Sequence, residues 1–249
     1  MYRKVDPKAG ILFAATPKIQ WFGNFSQSFE PPSFGELTNM RGGGVLNLAA
    51  QKASTLEFGT RGQSGRLQWD LAYYFSWVGN ELLSLNDGQG NPLGTINANK
   101  TRHQGVEIGW NSDVWEGKDA GKIVLRGVFN WSHFYFRRDR VFGNNYLPGL
   151  PPYFMRTELM YEHPRGWYVG PNLEWSFQHY PVDMANTLYS PAYALLGIKG
   201  GYKATKGASF FVEGRNLTDE TYASATGVVA SAFGRDSAQF LPGDGRSVY

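Results

Sequence analysis

The sequence predicts an all-β protein: an antiparallel transmembrane β-barrel, present in part, with about ten strands and the start of another. Three observations predict it. Period-two alternation of apolar and polar residues is long and recurs along the chain. Short and long connections take turns between the alternating stretches. The composition, with 8 Trp, 14 Tyr, 17 Phe and 31 Gly in 249 residues, suits strands and turns better than helices.

The strands follow in order. Lys8–Ala15 and Ile19–Ser28 flank the tight link Thr16–Pro17. Ala53–Arg61 follows the long stretch Phe29–Lys52. After the tight link Gly62–Gly65, Leu67–Trp77 puts Leu67, Trp69, Leu71, Tyr73, Phe75 and Trp77 on one face. Gln68, Asp70, Ala72, Tyr74 and Ser76 take the other. Asn86–Gly94 reads as a longer loop and Asp113–Gly121 as a moderate one, either side of the strand Thr95–Ser112. Ile123–Tyr135 sets Phe129, Trp131, His133 and Tyr135 against Arg126, Asn130 and Ser132. The long loop Arg137–Pro152 precedes Tyr153–His163, and the tight link Pro164–Gly166 precedes Trp167–Gln178. The long loop His179–Ala192 leads to Tyr193–Ala204, and Thr205–Ala208 turns into Ser209–Asn216. A long stretch, Leu217–Gly245, precedes a last strand that starts at Arg246–Tyr249.

Strands of ten or more residues exceed the usual length of about five or six in soluble domains. They match the roughly 9–11 residues that a tilted strand needs to cross hydrocarbon. Alternating short and long connections is the habit of outer-membrane barrels, with short turns at one end and long loops at the other.

Composition narrows the chemistry. There is no Cys, so thiol nucleophiles, disulfides and zinc–thiolate sites are excluded. Net charge is +3, without a Lys/Arg block, so nucleic acid is not expected as a partner. No apolar run approaches the ~18 residues of a membrane helix. The opening "MYRKVDPKAG" lacks the apolar core of a signal peptide.

Several strings are more specific than a pattern. "FVEGRNLTDETYAS" (Phe211–Ser224), "NFSQSFEPPSFGEL" (Asn24–Leu37), "QKASTLEFGTRG" (Gln51–Gly62), "TRHQGVEIGW" (Thr101–Trp110), "LPGLPPY" (Leu147–Tyr153) and "VDMANTLYSPAYALLGIKGGY" (Val182–Tyr202) occur in this order. Together they resemble the barrel of TonB-dependent outer-membrane receptors. The resemblance implies a barrel of about 22 strands around an N-terminal plug, the large class with a plugged lumen. Residues 1–249 are then the C-terminal portion of that barrel, with the plug domain absent. It also implies a Gram-negative outer-membrane location and uptake of a large scarce ligand, a ferric siderophore or other iron chelate. The implied partners are that ferric chelate, the TonB energy-transducing complex reached through the missing N-terminal part, and outer-membrane lipid and lipopolysaccharide. Cobalamin, copper or another large cofactor fits the same scaffold. No resident cofactor is implied. The stretch after Pro31 holds neither the His nor the Asn-Pro-Asn-Leu string of haem receptors in this family, so haem is a less fitting cargo.

Candidate ligand-binding residues lie in the expected outer loops. Arg137, Arg138 and Arg140 open one loop and offer bidentate donors to an anionic chelate. The competing reading for them is a solvated loop or contact with lipopolysaccharide phosphates at the rim. His179 and Tyr180 open another loop, with Asp183 nearby. One His and one Asp do not make a metal site, and His103, His133, His163 and His179 are scattered in sequence. "NDGQGN" (Asn86–Asn91) reads as a turn, since it lacks the spaced acids of a calcium loop. No catalytic triad, P-loop or dinucleotide motif is present, so an enzyme is not expected. Two other readings stay open on sequence alone: a passive porin or structural barrel, and a soluble carbohydrate-binding β-sandwich.

Overall fold

A computed structural model describes residues 4–38, 46–204 and 207–249. In chain order the elements are β1 (Lys8–Thr16), β2 (Ile19–Glu30), α1 (Phe34–Leu37), β3 (Gln51–Ser64), β4 (Leu67–Asn86), β5 (Pro92–Gly117), β6 (Gly121–Phe136), β7 (Tyr153–Glu162) and β8 (Trp167–Ser176). Then come β9 (Tyr180–Pro181), β10 (Tyr189–Ser190), β11 (Tyr193–Lys203), β12 (Ser209–Arg215), β13 (Ala223–Thr226), β14 (Phe240–Pro242) and β15 (Ser247–Val248). One antiparallel sheet of 11 strands runs in the order β1-β2-β3-β4-β5-β6-β7-β8-β11-β12-β15. Sequential neighbours pair throughout this meander, and β1 and β15 are its two edges. β9–β10 and β13–β14 are separate two-stranded ribbons. Among the described residues one 11-stranded sheet carries the fold and the other two sheets are short ribbons, which is not the pair of large packed sheets of a β-sandwich.

Register turns the alternation of each strand into continuous faces. Trp69 pairs with Trp110, and Trp110 with Gly127. Leu71 pairs with Ile108, and Ile108 with Phe129. The face they share carries uncovered aromatics, such as Trp21 and Phe58 at 53% and 56% exposure. A Cβ on Gly127 would overlap the Trp110 indole, so this glycine makes room for a cross-strand ring. The opposite face is polar. Asp70 pairs with Arg61 and Asn111 with Arg126, and Arg126 in turn pairs with Glu158.

Two connections differ from their sequence reading. β4 and β5 are 20 and 26 residues long, so only Asp87–Asn91 turns between them. Asn86–Gly94 is therefore largely the tip of a long ribbon and not a loop. The Asp87 side chain accepts the Gln89 and Asn91 amides at 2.9 and 2.8 Å, which closes the tip as a turn. Asp113–Gly121 is also shorter than expected. β5 continues to Gly117 past a register shift between Asp113 and Trp115, and only 118–120 turn. The end of the sheet with tight links thus gains a further tight link.

Asn80, with φ of 54°, breaks the alternation inside β4. Beyond it, Glu81 reaches Thr101 and His103 on the polar face. Farther along, Leu83, Leu85 and Ile96 pack against a small core of Ala98, Phe136, Leu147 and Met184. This core sits at the long-loop end, not beneath the sheet.

Candidate functional site

The long-loop end and the polar face behind it form the candidate site. The loop between β6 and β7 folds back along β6: Leu147 N–H donates to Phe134 O at 2.9 Å and Ser132 N–H to Pro152 O at 2.8 Å. Met184 from the next loop and Val228 from the last join the same core. Asp183 is the fastener. Fully buried, its carboxylate accepts from the Thr187 N–H (2.7 Å) and hydroxyl (2.5 Å), the Leu188 N–H (3.0 Å) and the Ala232 N–H (2.8 Å). Burial works to raise its pKa, but these hydrogen bonds outweigh burial and hold the carboxyl below its usual range. Met184 and Ala185 add backbone bonds to Val229 and Ala230, both 3.0 Å. Two long loops are thus one body.

The last loop is pinned at its base. Asn216 adopts φ of 50°, and its side-chain oxygen accepts the Glu220 N–H at 2.8 Å. Its amide donates to Glu220 O at 2.9 Å and Asp244 O at 3.0 Å. This is the physical content of the "NLTDE" string: an Asn that tolerates left-handed backbone and staples a loop to its own start. "PPSFGEL" has a similar account. Ser33 and Glu36 form a reciprocal capping box, with Ser33 N–H to Glu36 at 2.6 Å and Glu36 N–H to Ser33 Oγ at 3.3 Å.

Behind the loops, the polar face carries fixed charge. Arg126 bonds Glu162 at 2.6 Å and Glu158 at 3.3 Å, and Lys122 bonds Asp113 at 3.2 Å. Arg156 pairs with Glu174, whose other oxygen accepts from the Tyr193 hydroxyl at 3.1 Å. A cavity of about 680 Å³ is lined by Arg126, Arg156, Glu158, Glu174, Glu213 and Arg215, among others. A second recess of about 740 Å³ includes Glu57, Arg61, Asp70, Tyr74 and Glu107.

The residues expected from sequence separate. Arg138 and Arg140 are exposed and Arg137 is half-buried. Asp139 between them accepts the Val141 and Phe142 amides at 2.8 and 3.0 Å, so its charge is spent on the turn that displays the arginines. His179 is exposed, whereas Tyr180 is buried at 5% exposure, its strand β9 paired with β10. His179 shares a recess of about 170 Å³ with His133, Tyr146 and Tyr189, and the arginines take no part in it. Among the described residues no group of three or more His, Cys, Asp or Glu is placed to hold a metal. Sequence reasoning missed the role of Asp183, which it set beside His179 as a weak ligand. The only local signal was a Thr four residues on, the spacing of a capped turn.

The model of the TonB dependent receptor-like β-barrel matches residues 1–217. The ferric citrate transporter FecA in its unliganded form superposes with a TM-score of 0.72 at 20% identity, covering 98% of this chain and 37% of that one. The siderophore receptor PiuA from Acinetobacter baumannii gives 0.71 at 18% identity, covering 97% and 34%. The copper transporter OprC gives 0.71 at 18%, covering 97% and 38%. The chain therefore spans between a third and two fifths of the solved proteins it matches. With the family's strings in order, an open run of antiparallel transmembrane strands, an aromatic outer face and a charged inner one, this chain belongs to the TonB-dependent receptors and supplies part of their β-barrel.

Proposed function

We propose that residues 1–249 are the C-terminal portion of an outer-membrane transporter that takes up a ferric siderophore or similar iron chelate, energised through TonB. The observation that carries this reading is the joined loop body above a charged inner face. Asp183 locks two loops together, and the neighbouring loop displays Arg138 and Arg140 with their intervening acid already engaged. Such a surface suits capture of a large anionic complex, because guanidinium groups bind carboxylate and catecholate oxygens through paired donors. Siderophore and ferric citrate receptors among the solved neighbours accord with it. The family is one of transport receptors, and no catalytic step is proposed.

The test is uptake of radiolabelled ferric chelates by iron-starved cells that carry the receptor as their sole route. Arg138→Ala with Arg140→Ala is expected to lower apparent affinity about tenfold or more, on the scale of two charge-assisted contacts. Uptake that persists after collapse of the proton-motive force would favour a passive porin. Copper uptake in place of iron would redirect the cargo toward the chemistry named for OprC.

A further inference from the structure

We infer that Phe233 is a ligand-contact residue, and that with it the receptor selects chelates built on an anionic aromatic ring, a catecholate or phenolate; this deepens the uptake reading above and rests on it. The observation behind it is backbone strain at an exposed ring. Residues 232–235 form a tight turn: the Arg235 N–H donates to Ala232 O at 3.0 Å, and both central residues, Phe233 and Gly234, have positive φ (51° and 72°). That is the pattern of a type I′ turn, whose first central position suits Asn, Asp or Gly because a bulky side chain crowds left-handed backbone. Among the described residues, Asn80, Asn186, Asn216 and Asp219 also have positive φ, and all four are of types that tolerate it. Only Arg138 and Phe233 are not, and both are exposed in long loops. At 85% exposure the Phe233 ring gives the fold little packing to offset its strain.

The neighbouring loop imposes this conformation. The Ala232 N–H donates to the buried Asp183 carboxylate at 2.8 Å and the Gly234 N–H to the Thr187 hydroxyl at 3.0 Å, so the amides on either side of Phe233 are held from across the loop body. The Phe233 N–H donates to Ser231 Oγ at 3.3 Å. None of these bonds uses the ring, and an Asn at this position would keep them all. The loop rises from the lumen side. At its base Tyr222, Ser224 and Asp244 line the inner cavity of about 680 Å³. Val228 joins the same small core as Phe134, which pairs with His103 on the polar face. Arg235, two residues on, is exposed, and Asp236 beside it turns its carboxylate to the Gln239 N–H at 3.0 Å. An open aryl face near a guanidinium suits a ligand that offers both a flat ring and negative oxygens, since the ring stacks and the guanidinium takes the charge. Citrate and hydroxamate chelates carry the oxygens without the ring and engage the cations alone.

The test is equilibrium binding of radiolabelled iron chelates to the intact receptor that carries this segment, in detergent. The probes are a ferric tricatecholate, a ferric trihydroxamate and ferric citrate. Phe233→Leu keeps an apolar side chain without the ring, and Phe233→Asn removes both ring and strain. Each is expected to weaken tricatecholate binding about fivefold, the size of one lost aromatic contact, and to leave trihydroxamate and citrate binding unchanged. Hydrogen exchange at 232–235 in Phe233→Asn should be no faster than in the native receptor, which separates loss of a contact from loss of the turn. Unchanged tricatecholate binding, equal loss for all three probes, or faster exchange in Phe233→Asn overturns the inference. A native receptor that binds citrate or trihydroxamate but no tricatecholate overturns it and leaves the uptake reading standing. Binding of none of the three overturns both.

Discussion

The Asp183 carboxylate accepts the Ala232 amide at 2.8 Å across 49 residues of chain. With the Thr187 and Leu188 donors it gives one buried anion four hydrogen bonds and joins two loops that lie on either side of β11 and β12. Removing it takes the charged acceptor from the Thr187, Leu188 and Ala232 N–H groups, which sit on exposed or half-buried residues, at a cost of about 1 kcal/mol per hydrogen bond. Asp183→Ala should therefore loosen both loops while leaving the sheet intact. Hydrogen exchange is expected to rise at 183–188 and 229–232 and to stay unchanged in β3–β6. Unchanged loop protection would refute the fastener role.

The same carboxyl sets a pH dependence. Its folded pKa lies below the usual value, so its contribution is complete above the ordinary carboxylate range. It is lost as pH falls through the depressed folded value. Limited proteolysis of the loops should be flat from neutral pH down to about 4 and increase only below it. An increase between pH 6 and 7 would point to a histidine instead.

Gly127 seats the Trp110 indole, and a side chain there must displace the ring. Gly127→Val is expected to cost about 1–3 kcal/mol, the range of overpacking. The readout is the temperature at which the folded receptor loses its compact migration in detergent. Gly79→Ala, where open space awaits the methyl, should leave that temperature nearly unchanged.

Arg126 joins Glu158 and Glu162 on the inner face, about 40% exposed itself. Partial solvation keeps each pair to about 1 kcal/mol or less. A double-mutant cycle of Arg126→Met with Glu162→Gln should give a coupling in that range, shrinking in high salt. A coupling of several kcal/mol would mean that this wall is far drier than its exposure implies.

The 249-residue chain alone presents two unpaired sheet edges, β1 and β15. Unpaired backbone groups in hydrocarbon cost several kcal/mol each. The isolated chain should fail to refold as a monodisperse, heat-resistant barrel in detergent. A refolded species with channel activity would contradict this.

Much of the sheet was legible because a strand writes its geometry locally. Alternation in Leu67–Trp77 and Trp167–Gln178 named the faces, and tight links such as Gly62–Gly65, of which only Gly65 and Arg66 turn, and Pro164–Gly166 fixed the neighbours. Asn80 hid the rest of β4, since one left-handed residue ends the period that marks a strand. Which neighbours His179 meets in its recess, His133, Tyr146 and Tyr189, was not legible, because loop conformation decides which side chains face one another.

By itself, then, the sequence determined strand order, the two faces and the family, since all three follow from period two, turn chemistry and short strings read within a few residues. Tertiary structure alone decided that Asp183 binds two loops, that Glu81 turns to His103, and that Asp183 and Thr187 hold the amides on either side of Phe233. Those relations depend on register and on loops folding over one another, and groups brought together from distant positions leave no local pattern to read.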